Sequence, residues 1–378
     1  MILIGADFVP TKSNEAYFIS GDSEKLFGIP LKRILDKADY RIFNLECPIV
    51  DKESPIEKKG PNLRAAKNTV QGFIEAGVDL FSLANNHIMD HGENGLHSTV
   101  HALENAGIKS VGSGACLSEA SKAFVFSVKG KRIGVYACAE HEFSIATETS
   151  CGVNPFDPLE TMDHIIELKQ AVDYVIVLYH GGKEYYRYPS PNLQKRCRKM
   201  ISSGADLIVC QHSHCIGCFE KYQDGTVVYG QGNFLFDHGD DEFWNTSLLV
   251  AIQDSFDIEF IPLVKNGETV RLAEKDQAKE IVAAFEHRSK EIQMPGFIQK
   301  EYEEFAESSY NKYILELTGK GSKLFRFMNR LSGNKLRKRI IEKRFGKNQL
   351  LALKNDLECE AHSELLSCAI DRKLKQLK

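Results

Sequence analysis

Residues 204–214 read GADLIVCQHSH. A short apolar run, 207–210, follows a Gly-Ala-Asp turn and ends at Gln211, after which come two histidines separated only by Ser213. A run of this length bounded by turn residues reads as a buried strand, which puts two imidazoles just past its carboxyl end. The same arrangement recurs along the chain. ILIG (2–5) leads to Asp7, RIFNL (41–45) to Glu46, LFSLAN (80–85) to Asn86 and His87, and YVIVLY (174–179) to His180. Five apolar runs thus end in a carboxylate, an amide or an imidazole. In α/β sheets ligands bind at the carboxyl ends of strands, so these residues are expected to converge on one crevice.

Further strands are expected at 109–111 and 133–137, with helical patterns at 69–76, 92–106 and 192–203 between the runs. Alternation of this kind predicts βαβ units around a partly parallel sheet. Lys129-Gly130 and Asn266-Gly267 read as hairpin turns, and from 227 to 271 strands follow one another without helices, so antiparallel strands join the parallel ones. After about residue 273 only helical spacing remains. The chain is therefore divided into a catalytic α/β domain, 1–272, and a helical, basic extension, 273–378, that serves as a lid, a docking arm or a contact between copies in a homo-oligomer.

Mixed shells of Asp7, Glu46, Asn86, His180, His212 and His214 suit Mn, Fe or Zn rather than an all-oxygen calcium cage. Six ligands suffice for one or two such divalent transition metals. Asp90 lies one helical turn after His87 and can orient it as an acid. Glu184, just past His180, can fix the tautomer of a ligating imidazole. The cluster 140–142, Glu-His-Glu, either lines the same crevice or forms a solvated loop, and Phe8, Tyr185, Tyr186 and Tyr188 either rim it or pack. His97 and His101 lie on the polar face of a helix and read as surface residues. Gly112-Ser113-Gly114 is too short for a nucleotide loop.

The motifs GAD (5–7), NLE (44–46), LANNHIMDHG (83–92), HGGKEY (180–185), GADLIVCQHSH (204–214) and YGQGNFLFD (229–237) together resemble the CapA family of capsule, or poly-gamma-glutamate, synthesis proteins. That family is similar to the calcineurin-like metallophosphoesterases. The resemblance spans about 1–265 and implies a four-layer α-β-β-α sandwich around a two-metal centre, followed here by the helical extension. It also implies that Asp7 and Glu46 are the early carboxylate ligands, with Glu46 bridging. Asn86 is then the amide ligand, His87 the general acid, and His180, His212 and His214 the later ligands. Three positions depart from the pattern. Where the superfamily has Asp-x-His, Asp7 is followed by Phe8-Val9, so one metal would lose a ligand; Glu46 replaces an aspartate; and Gln211 replaces the glycine before the histidine pair.

Composition narrows the classes. No apolar stretch of about 18 residues occurs, so no membrane span is expected. The opening MILIGADFVP reads as a strand rather than a secretion signal, and ten cysteines without regular spacing suit reduced thiols in a cytoplasm. Cys215 and Cys218 have no second Cys-x-x-Cys to complete a zinc site. The net charge of −4 conceals a basic run, 318–347, with eleven Lys/Arg and one Glu. There Leu324, Phe327, Met328 and Leu331 share one helical face and Lys323, Arg326 and Arg330 another. That pattern fits either a solvated helix or contact with an anionic membrane, such as the inner membrane face, or a polyanionic glycan. No motif for specific nucleic-acid recognition is present. Two functions remain. One is a phosphoesterase-type hydrolase linked to capsule or exopolysaccharide metabolism and acting on a small phosphorylated substrate. The other is a poly-gamma-glutamate or capsule component, acting on a gamma-glutamyl amide or polymer end or serving as an assembly partner without turnover.

Overall fold

The computed structural model describes residues 1–237, 241–317, 323–333 and 335–377. The expected strands form, and they gather into two large sheets. In the first, Ile2–Val9, Tyr40–Asn44, Leu80–Ser82 and Lys109–Val111 run parallel, in that spatial order. Thr246–Ile252, Ile258–Asn266 and Thr269–Leu272 extend it antiparallel on the other side of Ile2–Val9. In the second, Lys131–Ala139, Tyr174–His180, Leu207–Gln211 and Gly225–Tyr229 run parallel, flanked by antiparallel edge strands Phe124–Val128 and Phe219–Tyr222. Both expected hairpins are present. Lys129 and Gly130 adopt φ of 50° and 79°, as a tight two-residue turn requires. The second turn falls one residue later than expected, with Asn266 paired to Thr269 and Gly267 at φ 60°.

Period-two alternation along the buried strands makes the layers. On Tyr174–His180, Ile176 and Leu178 enter a core shared with Leu3, Ile42, Leu80 and Leu249 of the first sheet. Their neighbours Val175, Val177 and Tyr179 point the other way, against Ile165, Leu193, Cys197 and Met200, which belong to helices Glu160–Ala171 and Pro191–Ser202. Leu26, Phe27, Leu31, Phe73, Leu96 and Leu103 of helices Ser23–Lys37, Val70–Glu75 and Gly92–Asn105 join the first sheet's core. The fold is a four-layer α-β-β-α sandwich. Gly112, at φ 87°, marks a close approach: a Cβ there would stand 2.7 Å from that of Ala84 and 2.8 Å from that of Ala137.

Phe8 lies inside this core, not at a pocket rim. It is fully buried, with the rings of Phe18, Phe27, Phe43, Phe73, Phe81 and Phe234 at centroid distances of 4.9–6.3 Å.

The chain divides into two compact units, Met1–Gln299 and Lys300–Lys378. Helix Lys275–Glu291 belongs to the first, where Phe285 packs on Phe219 and Phe260. The second unit is helical, with Lys323–Leu331, Lys335–Arg344, Lys347–Glu358 and Glu360–Gln376. Of the basic run 318–347, residues 318–322 and 334 lie outside the described residues, as do the side chains of Lys323, Leu324 and Arg326. Phe327, Met328 and Leu331 are exposed. Among the described residues no helix is long and apolar enough to cross a membrane.

Truncating an aromatic ring that others surround on all sides leaves a cavity the core cannot close. Phe8→Ala should lower the unfolding free energy in urea by about 3–5 kcal/mol. A loss below about 1 kcal/mol would contradict its central place in the packing.

Candidate metal centre

The strand ends meet as the spacing predicted, and the meeting point is Glu46. Its carboxylate is wholly buried, and neither oxygen has a hydrogen-bond partner. One oxygen stands 3.4 Å from His180 Nε2. Donor atoms of Glu46, His180 and His212 lie within 4.8 Å of one another, and so do those of Asp7, Glu46 and His214. Glu46 is common to both sets. Asn86 joins the first, its Oδ1 3.1 Å from His180 Nε2.

Each donor is aimed by a neighbour. Asp7 accepts a hydrogen bond from Asn44 Nδ2 at 2.7 Å, and Asn44 in turn accepts from Asn85 Nδ2 at 3.1 Å. Asn85 also accepts from the backbone N–H groups of His87 and Ile88, so it shapes the turn that presents its neighbour. Asn86 donates to Glu142 Oε2 at 2.7 Å, which turns its carbonyl oxygen toward His180. Glu140 accepts from the Gly182 N–H and pairs with Arg196, bracing the loop after His180. His214 Nδ1 lies 2.9 Å from Asn233 Oδ1, and Trp244 stacks on its ring at 4.6 Å. His212, His214 and Tyr185 hold φ of 92°, 55° and 59°, a left-handed conformation that costs free energy in residues with a side chain. The Tyr185 N–H donates to the Ser213 carbonyl, tying the two strained loops together.

The electrostatics follow from burial. Burial holds His180 down to about 4. His212 also lies well below the usual imidazole range, through burial and the neighbouring charges of His180 and His214. His214 rises to about 9, because the carboxylates Glu46 and Asp7 outweigh burial. Burial and the charge of Asp7 push Glu46 well up. For Asp7 burial acts upward, but hydrogen bonding and charge from His214, with help from His180 and Asn44, hold it below the usual range. Buried carboxylate oxygens of Glu46 without donors, beside the imidazoles of His180 and His212 held neutral, fit a divalent cation with mixed nitrogen and oxygen ligands.

His87 lies next to this cluster, its Nδ1 2.7 Å from Asp90 Oδ2, and its ring stays 13% exposed. Glu184 stands at the surface beside Lys183, 38% exposed, and acts on His212 through its charge. His141 is exposed. Tyr186 is buried, whereas Tyr185 is 38% exposed. Cys215 and Cys218 are buried free thiols, and burial pushes Cys215 up to about 11. Among the described residues neither belongs to a group of potential ligands. The positioning roles of Asn44, Asn85, Asn233 and Trp244 are not visible in the sequence, because each depends wholly or in part on a partner distant along the chain.

The fold and the cluster define a two-sheet α/β protein with a buried, shared-carboxylate centre at the ends of its parallel strands. The family model described as bacterial capsule synthesis protein PGA_cap matches residues 8–238, and the chain belongs to that family. It is 31% identical over 214 residues to the capsule biosynthesis protein CapA of Bacillus anthracis, covering 54% of this chain and 52% of that protein. It is likewise 31% identical over 210 residues to the PGA biosynthesis protein CapA of Bacillus subtilis, covering 54% and 55%. A probable polyglutamine synthesis accessory protein of Mycobacterium tuberculosis is 27% identical over 213 residues, covering 53% and 56%. The chain spans about half the length of the relatives it matches. Among solved structures, a putative 5'-nucleotidase from Staphylococcus aureus overlaps at TM-score 0.42 and 12% identity, covering 76% of this chain and 58% of that one. A phosphatase from Mycoplasma pneumoniae overlaps at TM-score 0.42 and 15% identity, covering 70% and 94%.

A buried charge without a partner destabilises the fold that holds it. With divalent metal removed by a chelator, Glu46→Gln should therefore raise stability in urea at neutral pH by about 0.5–2 kcal/mol, since the amide keeps the shape and needs neither the buried charge nor the proton uptake that burial forces on Glu46. The same change should remove any stabilisation by added metal. Lower stability of the chelated variant would overturn this reading of Glu46.

Proposed function

We propose that this protein is a metal-dependent hydrolase of phosphoesterase type that works in capsule or exopolysaccharide metabolism. The observation that carries the proposal is Glu46, a buried carboxylate with both oxygens unpaired and a place in two donor sets. Asp7, Glu46 and His214 would hold one ion, and Glu46, Asn86, His180 and His212 a second. A metal held there would lower the pKa of a water toward about 7 and stabilise charge on a phosphoryl oxygen. The chain's own contribution is to orient the donors, exclude water from Glu46 and supply a proton. With Nδ1 donating to Asp90, a doubly protonated His87 would carry on Nε2 the proton that it gives to a leaving oxygen. Glu184 contributes negative charge near His212.

The names of the relatives favour a second reading, in which the same centre acts on a gamma-glutamyl amide or a polymer end, or the chain assists assembly without turnover. Metal analysis of the purified protein, combined with a screen of phosphomonoesters, phosphodiesters and gamma-glutamyl amides, separates the two. One to two ions of Mn, Fe or Zn per chain are expected, with at least one lost in His180→Ala or His212→Ala. Protein that is metal-free after growth in metal-replete medium would sink the proposal.

His87→Ala should keep the metal and lower turnover by about 10²–10⁴-fold. The loss should shrink for esters whose leaving group is acidic enough to depart without a proton. Equal losses on good and poor leaving groups would remove His87 from the acid role.

For the helical unit we propose contact with a polyanionic surface. Exposed Phe327, Met328 and Leu331 share a helix with Arg330, and Arg337, Lys338, Arg339, Lys343 and Arg344 follow on the next helix. Each basic residue near an anionic membrane contributes about 1 kcal/mol. The protein should sediment with anionic vesicles but not neutral ones, and salt should release it. Absence of binding at low salt would make this basic face a solvated one.

A further inference from the structure

We propose that Lys58 is a positioning residue for the His87–Asp90 pair, an inference that rests on the reading of His87 as the proton donor. Lys58 belongs to none of the strand-end motifs. It sits in the irregular segment 51–66, where most residues are exposed, yet its own side chain is 1% exposed. Lysine is seldom buried to this extent unless paired, and its partner is the equally buried Asp90, whose Oδ1 meets the ammonium group. The other oxygen, Oδ2, accepts from the Leu63 N–H at 2.6 Å and lies 2.7 Å from His87 Nδ1. Lys58 Nζ is also 3.2 Å from His87 Nδ1 and 5.2 Å from the centroid of the Phe143 ring. The segment is strapped to the same turn by its backbone: Ile56 N–H donates to the Asp90 carbonyl and Ser54 N–H to His91 Nδ1.

The consequence is a division of the carboxylate. With Lys58 on Oδ1, only Oδ2 is left to His87. Nδ1 thus has two polar neighbours, Asp90 Oδ2 at 2.7 Å and Lys58 Nζ at 3.2 Å. The shorter approach, from Nδ1 to Oδ2, places the imidazole proton on Nδ1, and the hydrogen bond of one ring nitrogen sets the state of the other. Lys58 therefore holds Asp90 as a fixed acceptor, and Asp90 holds His87 through Nδ1, which leaves Nε2 as the nitrogen that takes up and gives the second proton. Without Lys58, Asp90 is left as an unpaired buried charge and its grip on one ring tautomer weakens.

The test uses the full chain as purified, with Lys58→Met, Lys58→Arg, Asp90→Asn and the double variant Lys58→Met/Asp90→Asn. Nitrogen-15 NMR of the His87 ring, assigned with His87→Gln, should show the Nδ1-protonated tautomer in the wild type and in Lys58→Arg, and a shift toward the Nε2-protonated form in Lys58→Met. Turnover of phenyl phosphate should fall about tenfold or more in Lys58→Met, with a smaller loss on 4-nitrophenyl phosphate and little change in KM. Adding Lys58→Met to Asp90→Asn should cost less than about twofold, because Lys58 acts through Asp90. An unchanged ring signature in Lys58→Met, or losses that multiply in the double variant, overturns the proposal. If Lys58→Met alone does not fold, the double variant against Asp90→Asn decides, since it carries no unpaired charge. A wild type that hydrolyses neither ester counts against the hydrolase reading, while the ring signature still decides the role of Lys58.

Discussion

A carboxylate that is removed from water and receives no hydrogen bond raises the free energy of the folded state, and Glu46 is held in that condition by everything around it. The backbone fixes it two residues past Asn44, where strand Tyr40–Asn44 leaves the sheet. The two sheets close over it from opposite sides, with Asp7 contributed by one and His180 and His212 by the end of the other. The surrounding imidazoles are pressed toward neutrality by burial, except His214, which the two carboxylates draw to the charged side. A centre of this kind is stable only because the core beneath it is well packed, and Phe8 is the point of connection. It directly follows Asp7 and anchors the end of the first strand in a cluster of aromatic rings. Val9, at the place where the resemblance suggested the loss of a histidine ligand, is buried in the same core.

The amide side chains then divide the labour. In LANNH, Asn85 turns inward and organises the backbone, while Asn86 turns outward to the centre, although the two are adjacent and chemically identical. The difference lies in their partners. Asn85 meets Asn44 and the Leu45 carbonyl, whereas Asn86 is held by Glu142 from the second sheet's connecting loop. The strained backbones of His212, His214 and Tyr185 serve the same placement, since they turn the chain just past strand Leu207–Gln211, where the two imidazoles join separate donor sets around Glu46.

The match to the capsule synthesis family spans residues 8–238, most of the sandwich, and stops before the last three strands of the first sheet and the helical unit. The two parts accordingly differ in physical character. The sandwich is built around large cores that span whole sheets. The helical unit leaves many leucines exposed, among them Leu351, Leu357, Leu365 and Leu374, and its net charge is positive, whereas that of the rest of the chain is negative.

By itself the sequence determined the strands, their alternation with helices, both hairpins, and the fact that a metal-type side chain stands at the end of each of five strands. All of these depend on local periodicity and turn chemistry, which neighbours along the chain encode. The assignment of those side chains to two sets sharing Glu46 was decided only by tertiary structure, as were the packing of Phe8, the hold of Glu142 on Asn86 and the burial of Lys58 against Asp90. Each of these contacts joins residues far apart in the chain. Whether a carboxylate or ammonium group is solvated or buried depends on which partner the fold brings to it, and no local pattern carries that information.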